Sequence, residues 1–275
     1  MLSLRFPRFV AREMRVCARL NKFNSNTTMK KTFITILALA GVAAADTITP
    51  LAETEGWTYA LGRTDRVQWT HDATTATMTM SSNNWGQATA TYTFADSITD
   101  SWNFSLDVAR GSASTAFYLT LVGNTTAVTL GNKDYDSGTV YYGTTDNVTA
   151  THYAINATWD NGGTSVSGTA LVEGAFNNNS VSTISGSTIL DADSNVILTL
   201  NISSTAMTTP SSATTTINLG KNFALNQIKL GADGPNSNVN TWVVSNMTVS
   251  YIPEPATATL SLLALAGLAV RRRRK

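Results

Sequence analysis

Polar and apolar residues alternate over most of residues 46–252, and this period of two constrains the fold more than any other feature of the chain. The clearest run is WNFSLDV at residues 102–108. Successive side chains of a β-strand point to opposite faces, so such a run buries one face and leaves the other in water. Few windows show apolar residues at helical spacing. The pattern therefore predicts half-buried strands of antiparallel sheets.

Turn-forming residues separate these runs, among them Asp-Asn-Gly-Gly at residues 160–163 and three asparagines at residues 177–179. Such residues tolerate positive φ and favour tight connections between strands. No segment repeats at a fixed period, which argues against a β-helix or a propeller. More than ten short strands in one span of about 207 residues predict a single all-β domain, an antiparallel two-sheet β-sandwich.

Two segments near the end of this span narrow the choice of sandwich. Residues 223–234 read FALNQIKLGADG and residues 242–251 read WVVSNMTVSY. Together they resemble the closing strands of laminin-G and concanavalin-A-like jelly rolls. The resemblance implies a jelly roll whose last strand returns to pair near the N-terminus of the domain.

Residues 253–275 form a three-part tail: Pro253-Glu254-Pro255, an uncharged apolar stretch over 256–270, and the cations Arg271, Arg272, Arg273, Arg274 and Lys275. A helix over 256–270 is about 22 Å long, short of the roughly 30 Å hydrocarbon core, and the cations should stay on the cytoplasmic side. The tail resembles the PEP-CTERM sorting signal of exported bacterial proteins. That resemblance implies a single membrane helix, processing by an exosortase-type enzyme, and delivery to the envelope or extracellular matrix. An ordinary tail anchor is the alternative.

Residues 29–45 have the features of a secretory signal peptide, namely two lysines, an apolar helical run and an Ala-x-Ala site. Ala43 and Ala45 are the small residues of this site, and cleavage after Ala45 would leave Asp46 as the first mature residue. The Arg-rich residues 1–28 before it are interpreted as a leader produced by a start codon assigned too early, with an organelle transit peptide as the alternative. The expected domain is then residues 46–252.

Charge and cysteine content also change once these ends are set aside. The chain carries 19 basic and 18 acidic residues, but residues 46–252 keep only six basic and 16 acidic ones, a net charge of about −10. Such a surface repels nucleic acid and anionic lipid. The single cysteine, Cys17, precedes the domain, so no disulfide is expected within it.

Catalytic patterns are sparse. Glycoside hydrolases of the concanavalin-A-like fold carry paired carboxylates on one strand, whereas the corresponding run here offers only Asp107. Glu53 and Glu55 are interpreted as solvated edge charges, and His71 and His152 as surface or strand-end residues. Neither a nucleophile elbow nor a phosphate loop is present in the sequence. The chain is therefore predicted not to be an enzyme.

Two binding hypotheses follow from the loops. One is a calcium loop, whose first ligands have the spacing of Asp191, Asp193 and Asn195, but the glycine of such a loop is missing here. These side chains are therefore expected to cap their own turn. No cofactor is predicted, and calcium is the alternative. Trp85 and Trp242 follow Asn-rich segments from which an indole ring could stack on a sugar. The alternative is that all six tryptophans are core residues.

The favoured interpretation is thus an exported, non-enzymatic surface protein of the envelope or matrix. Its alternative is a surface carbohydrate-binding, lectin-like module that binds extracellular polysaccharide, with a glycoside hydrolase as a remote third.

Overall fold

The computed structural model describes residues 45–61, 67–82, 86–99, 101–111, 115–133, 138–157, 163–207, 211–234 and 240–251. These ranges belong to one unit, residues 44–254. Within them, no helix has the length and apolar character needed to cross a membrane. The predicted leader, most of the predicted signal peptide, Trp85 and the sorting tail lie outside the described residues.

Two antiparallel sheets form the domain, as the alternation predicts. Sheet A has the strand order β15-β14-β13-β6-β17-β4-β3, with β1 also paired to β17. Its strands are β1 Asp46–Ile48, β3 Val67–Asp72, β4 Thr77–Ser82, β6 Trp102–Arg110, β13 Val181–Leu190, β14 Asn195–Ser204, β15 Ser212–Lys221 and β17 Asn240–Tyr251.

Sheet B has the order β12-β9-β8-β7-β16-β5-β2. Its strands are β2 Trp57–Leu61, β5 Gly86–Ile98, β7 Ala116–Gly123, β8 Ala127–Asn132, β9 Val140–Thr145, β12 Thr169–Val172 and β16 Leu225–Gly234. A short 3₁₀ turn, Pro50–Ala52, follows β1, and two further strands, β10 Tyr153–Ile155 and β11 Thr164–Val166, form a separate parallel pair. The all-β jelly-roll sandwich is confirmed, and the last strand returns to the first as expected.

The main core lies between the inner faces of the two sheets. Strand β6 shows why the sequence predicts this core, since its residues alternate between buried and more exposed along the whole strand. The Trp102 ring lies at a tilted angle beside the rings of Phe104 and Phe223, and Phe117 adds a core side chain from sheet B. Burial of each such side chain stabilises the fold by about 1.5–3 kcal/mol. Residues 46–252 contain no cysteine, so packing takes the place of disulfides in their stability.

A second apolar cluster lies on the outer face of sheet B. There Tyr118 of β7 packs against Tyr153, Ile155 and Val166, which belong to a segment crossing the sheet. We call this the cover segment, residues 146–157 and 163–168. Because it covers the outer face, β7 and β8 are buried along their full length.

The cover segment corrects one expectation from the sequence. The alternation predicts strands with one face in water, yet all three residues of β10 are buried. Gly143 makes room for the segment, since a Cβ there would lie 2.8 Å from Val166 Cγ1. Gly131 makes room for Tyr118, on which the segment packs, since a Cβ there would lie 2.5 Å from Tyr118 Cδ1. The outer surface of sheet B is therefore open mainly on the side of β5 and β2.

Candidate functional site

Strand β5 places a line of polar side chains on the outer face of sheet B. Gln87, Thr89, Thr91 and Thr93 alternate with core residues of the same strand. Gln87 and Thr89 are 6 % and 3 % exposed, Thr91 is half-buried and Thr93 is exposed. The line is thus buried at one end and open to solvent at the other.

Strand β16 runs beside β5 and adds matching polar groups. The register pairs Asp233 with Gln87, Lys229 with Thr91 and Gln227 with Thr93. We call these residues the polar row: Gln87, Thr89, Thr91 and Thr93 of β5 with Gln227, Lys229 and Asp233 of β16. The side chains are linked, since Gln87 Nε2 lies 3.5 Å from Asp233 Oδ2 and Gln227 Nε2 donates to Thr93 Oγ1 at 3.3 Å.

His152 of the cover segment lies against the buried end of the polar row. Its Nδ1 is 3.2 Å from Thr89 Oγ1, and its Nε2 is 3.6 Å from Asp233 Oδ2. Gly163 allows this approach, because a Cβ there would lie 2.8 Å from His152 Cβ. His152 directly precedes β10, the strand-end position that was one of the two expectations, but it is only 6 % exposed and is not a surface residue.

The pair of His152 and Asp233 retains unused hydrogen-bonding capacity. Asp233 is 1 % exposed, and its Oδ1 accepts no hydrogen bond from the described residues, nor does His152 Nε2 have a partner within hydrogen-bond distance there. Buried polar atoms are nearly always hydrogen-bonded, so such atoms call for an explanation. The imidazole thus lies between a hydroxyl within hydrogen-bond distance of Nδ1 and a carboxylate 3.6 Å from Nε2.

Lys229 fixes the cover segment beside the polar row. Its Nζ donates to the carbonyl oxygen of Ala150 at 2.6 Å and lies 5.4 Å from the ring centre of Tyr153. Burial lowers the pKa of Lys229 from its ordinary value. Burial also raises the pKa of Tyr153 to about 12, and this phenol donates to the carbonyl oxygen of Asn147. These contacts form the boundary between the covered and open halves of sheet B.

The structure corrects the prediction for Trp242. Its ring is 0 % exposed and lies in β17 between Phe117, Phe176 and Arg110, with Nε1 donating to Thr115 Oγ1. The Asn-rich segment precedes the strand, but the alternation of β17 turns the indole into the core. Trp242 therefore cannot stack on a sugar, and Trp85 lies outside the described residues.

The predicted calcium turn caps itself. Asp191 Oδ1 accepts from the backbone nitrogens of Asp193 and Asn195, and Oδ2 accepts from Asn195 Nδ2. The hydrogen bonds from Asn195 hold the pKa of the Asp191 carboxyl below its ordinary value. Among the described residues, no group of three or more His, Cys, Asp or Glu side chains is placed to hold a metal ion.

The carboxylates considered for hydrolysis are engaged elsewhere. Asp107 lies on the outer face of sheet A, where Thr183 Oγ1 and Asn246 Nδ2 donate to its two oxygens. Glu53 accepts from the Tyr92 hydroxyl, and the exposed Glu55 lies in a bend before β2 rather than in a strand. The described residues near Asp107 therefore provide no paired-carboxylate arrangement.

Sequence reasoning missed the polar row and the role of His152. The available signal was in the segment IKLGADG, where Lys229, Gly231 and Asp233 occupy one face of a strand. Two charged residues flanking a glycine on one face suggest a close approach by another segment. That the approaching segment carries His152 depends on packing between residues far apart in sequence.

No protein-family model matches this chain, and no curated protein matches it. Among solved structures, it is similar to the potassium-bound carbohydrate recognition domain of Emp46p, with 11 % identity, 74 % of this chain and 94 % of that one covered, and a TM-score of 0.45. It is also similar to the Crh5 transglycosylase in complex with NAG, with 13 % identity, 78 % and 87 % coverage, and a TM-score of 0.47. A third is the alginate lyase of Aplysia kurodai, with 11 % identity, 69 % and 88 % coverage, and a TM-score of 0.43.

At these identities the likeness is one of fold. Because a transglycosylase and a lyase are among the similar structures, the prediction that this chain is not an enzyme is withdrawn. That prediction rested on the absence of a carboxylate pair, a nucleophile elbow and a phosphate loop, each of which belongs to particular reaction types only.

Proposed function

We propose that the protein binds carbohydrate on the outer face of sheet B, at the open end of the polar row. The observation that carries this proposal is the alignment of amide and hydroxyl side chains on two adjacent strands, from buried Gln87 to exposed Thr93. Sugar hydroxyls are both donors and acceptors, and such side chains can satisfy both roles. Strands hold these groups more rigidly than loops do, which favours specific recognition.

The charge of the protein surface favours one class of carbohydrate over another. At the open end, exposed Thr58 and Thr93 and half-buried Gln227 are uncharged, and residues 46–252 carry a net charge of about −10. Lys229 lies beside them but is buried against Ala150. A negative surface repels polyanions, so neutral polysaccharide is the expected ligand rather than a polyuronate.

A glycan array of neutral and uronate-containing oligosaccharides tests this proposal. Replacing Thr93 and Gln227 together by alanine removes up to two hydrogen bonds to the sugar and should weaken binding about 5- to 100-fold. The matched control replaces Ser185 and Thr199 by alanine, two polar residues on the outer face of sheet A. Absence of binding by the wild-type protein, or equal loss in both variants, would exclude this site.

A second candidate function is a carbohydrate-active enzyme in which His152 transfers a proton. The specific observation is its position between Thr89 Oγ1 and Asp233 Oδ2. General acid–base catalysis contributes about 10²- to 10⁴-fold, so His152→Asn should reduce turnover by that factor while leaving binding at Thr93 intact. Asp107→Asn is the control and should leave turnover unchanged. A screen of neutral polysaccharides for new chain ends gives the readout, and no product from the wild-type protein would rule out this function.

We also propose that the protein is exported and sorted through residues 253–275. The Pro253-Glu254-Pro255 motif, the apolar stretch and the terminal cations support this proposal, as does the signal-like segment 29–45. The expected location is the cell envelope, outer surface or extracellular matrix, with an exosortase-type enzyme as partner. Intact mass of the protein isolated from its native cells should show a start at Asp46 and loss of the tail. Retention of residues 253–275 would instead indicate a plain membrane anchor.

A further inference from the structure

Strand β15 forms one outer edge of sheet A and is paired on one side only. Its 10 residues, Ser212–Lys221, bond to β14. Among the described residues, no segment other than β14 adds a further strand to β15. An edge strand presents a row of backbone N–H and C=O groups that can pair with another chain.

The other edges of the two sheets are shorter or irregular. β3 has 6 residues and ends at Asp72, while β2 has 5 residues. β12 has 4 residues and contains a register shift between Ala170 and Val172. Short strands, bulges and charges are the usual means of preventing edge-to-edge pairing. In β15 such features occur only at the C-terminal end, where the register with β14 shifts between Asn218 and Lys221 and where Lys221 carries the charge.

The composition of β15 also removes the usual obstacles to pairing with itself. Residues 212–220 contain no charge and no proline, and Lys221 is the strand's sole charged residue. Thr214, Thr216 and Asn218 are exposed. Two neutral strands of this kind do not repel each other, and directly opposed threonines favour cross-strand pairing.

We propose that two copies of this chain associate through antiparallel pairing of their β15 strands. The two-fold axis passes through Thr216, because this residue is the centre of the uncharged stretch 212–220. An isologous two-fold contact needs only one self-complementary surface. Antiparallel strands of this length form about 8–10 backbone hydrogen bonds, the number found in a typical specific interface.

Pairing would join the two A sheets into one continuous sheet. The rows of hydroxyl and amide groups on the outer face, such as Thr216, Thr199 and Ser187, would continue across the axis into the second copy. This inference is independent of carbohydrate binding, since the polar row lies on sheet B. A dimer would place two polar rows on one particle.

Cysteine cross-linking of the full chain in mild detergent tests this pairing. Thr216→Cys places two thiols opposite each other at the axis, within reach of a disulfide. The parent carries Cys17→Ser, so that no native thiol contributes. Thr199→Cys is a control in the neighbouring interior strand, and Thr70→Cys is a control on the exposed opposite edge of sheet A. We expect a disulfide-linked dimer from Thr216→Cys alone.

A second variant tests the same contact without a covalent bond. Replacing Thr214 and Thr216 by lysine places like charges across the axis and should convert the dimer into a monomer in sedimentation. Replacing Thr199 and Asn201 by lysine puts the same charges on an interior strand and should leave the dimer intact. A monomeric parent chain, equal cross-linking of all three cysteine variants, or an equal effect of both lysine pairs would overturn the proposal.

Discussion

The cover segment is predicted to depend on Gly143, and Gly143→Ala tests this packing. Gly143 is buried in β9, on the outer face of sheet B. A methyl group there would overlap the carbonyl oxygen of Ser167 and lie 2.8 Å from Val166 Cγ1. Because Ser167 O is a backbone atom, it cannot rotate away, so the cover segment must shift.

Overpacking of this kind costs about 1–3 kcal/mol. For a domain of this size, the midpoint of thermal unfolding should fall by about 2–12 °C. Gly231→Ala is the matched control, since it also lies on the outer face of sheet B. Its Cβ would be 3.5 Å or more from Tyr118 and His152, an ordinary contact. The control should keep the wild-type midpoint or exceed it slightly, because alanine restricts the unfolded chain.

Calorimetry gives the midpoint, and amide hydrogen exchange at Val166 and Ile155 shows whether the cover segment is the part that opens. We expect faster exchange at these two residues in Gly143→Ala and unchanged exchange in β6. A wild-type midpoint with wild-type exchange in Gly143→Ala would refute the packing of the cover segment on sheet B.

Three further predictions concern single side chains. Trp242→Ala should lower the free energy of unfolding by about 3–5 kcal/mol in urea titrations, because it empties a buried site; a loss below 1 kcal/mol would contradict its core position. Asp191→Ala should destabilise the β13–β14 turn at pH 7, because the Asp191 carboxylate accepts the hydrogen bonds that close this turn. The difference in stability between this variant and the wild-type protein should vanish as pH falls below 3.8 through the lowered pKa of Asp191, since the protonated carboxyl no longer accepts those hydrogen bonds. The pKa of Tyr153 is raised to about 12, so its protonated phenol favours the folded state below pH 10, and this contribution is lost as pH rises to 12. A plot of stability against alkaline pH should therefore fall less steeply over this range for Tyr153→Phe than for the wild-type protein. Identical plots would contradict this prediction.

The sheets could be predicted from sequence because local pattern and burial agree in them. In β6, each residue at an even position from Trp102 to Val108 is buried, as the period of two requires. β7 is different, since all of its residues are buried and both faces are packed. Alternation alone cannot distinguish a wet face from one that another part of the chain covers.

The candidate site was largely unpredictable for the same reason. His152 and Thr89 are 63 positions apart, and their contact depends on the path of the cover segment. The prediction for Trp242 was wrong for a different reason. The Asn-rich segment before it suggested an exposed loop, but Trp242 lies within β17 at a position that faces the core. The Asp191 turn could be predicted, since asparagine and aspartate in turns bond locally to their own backbone.

Mapping the bound sugar on the protein tests the central claim most directly. The measurement is a titration of ¹⁵N-labelled protein with the oligosaccharide that gives the strongest glycan-array signal. We predict the largest amide shifts at Thr91, Thr93 and Gln227, with smaller shifts near Ala150. Shifts confined to the outer face of sheet A, around Ser105 and Ser185, would contradict carbohydrate binding at the polar row.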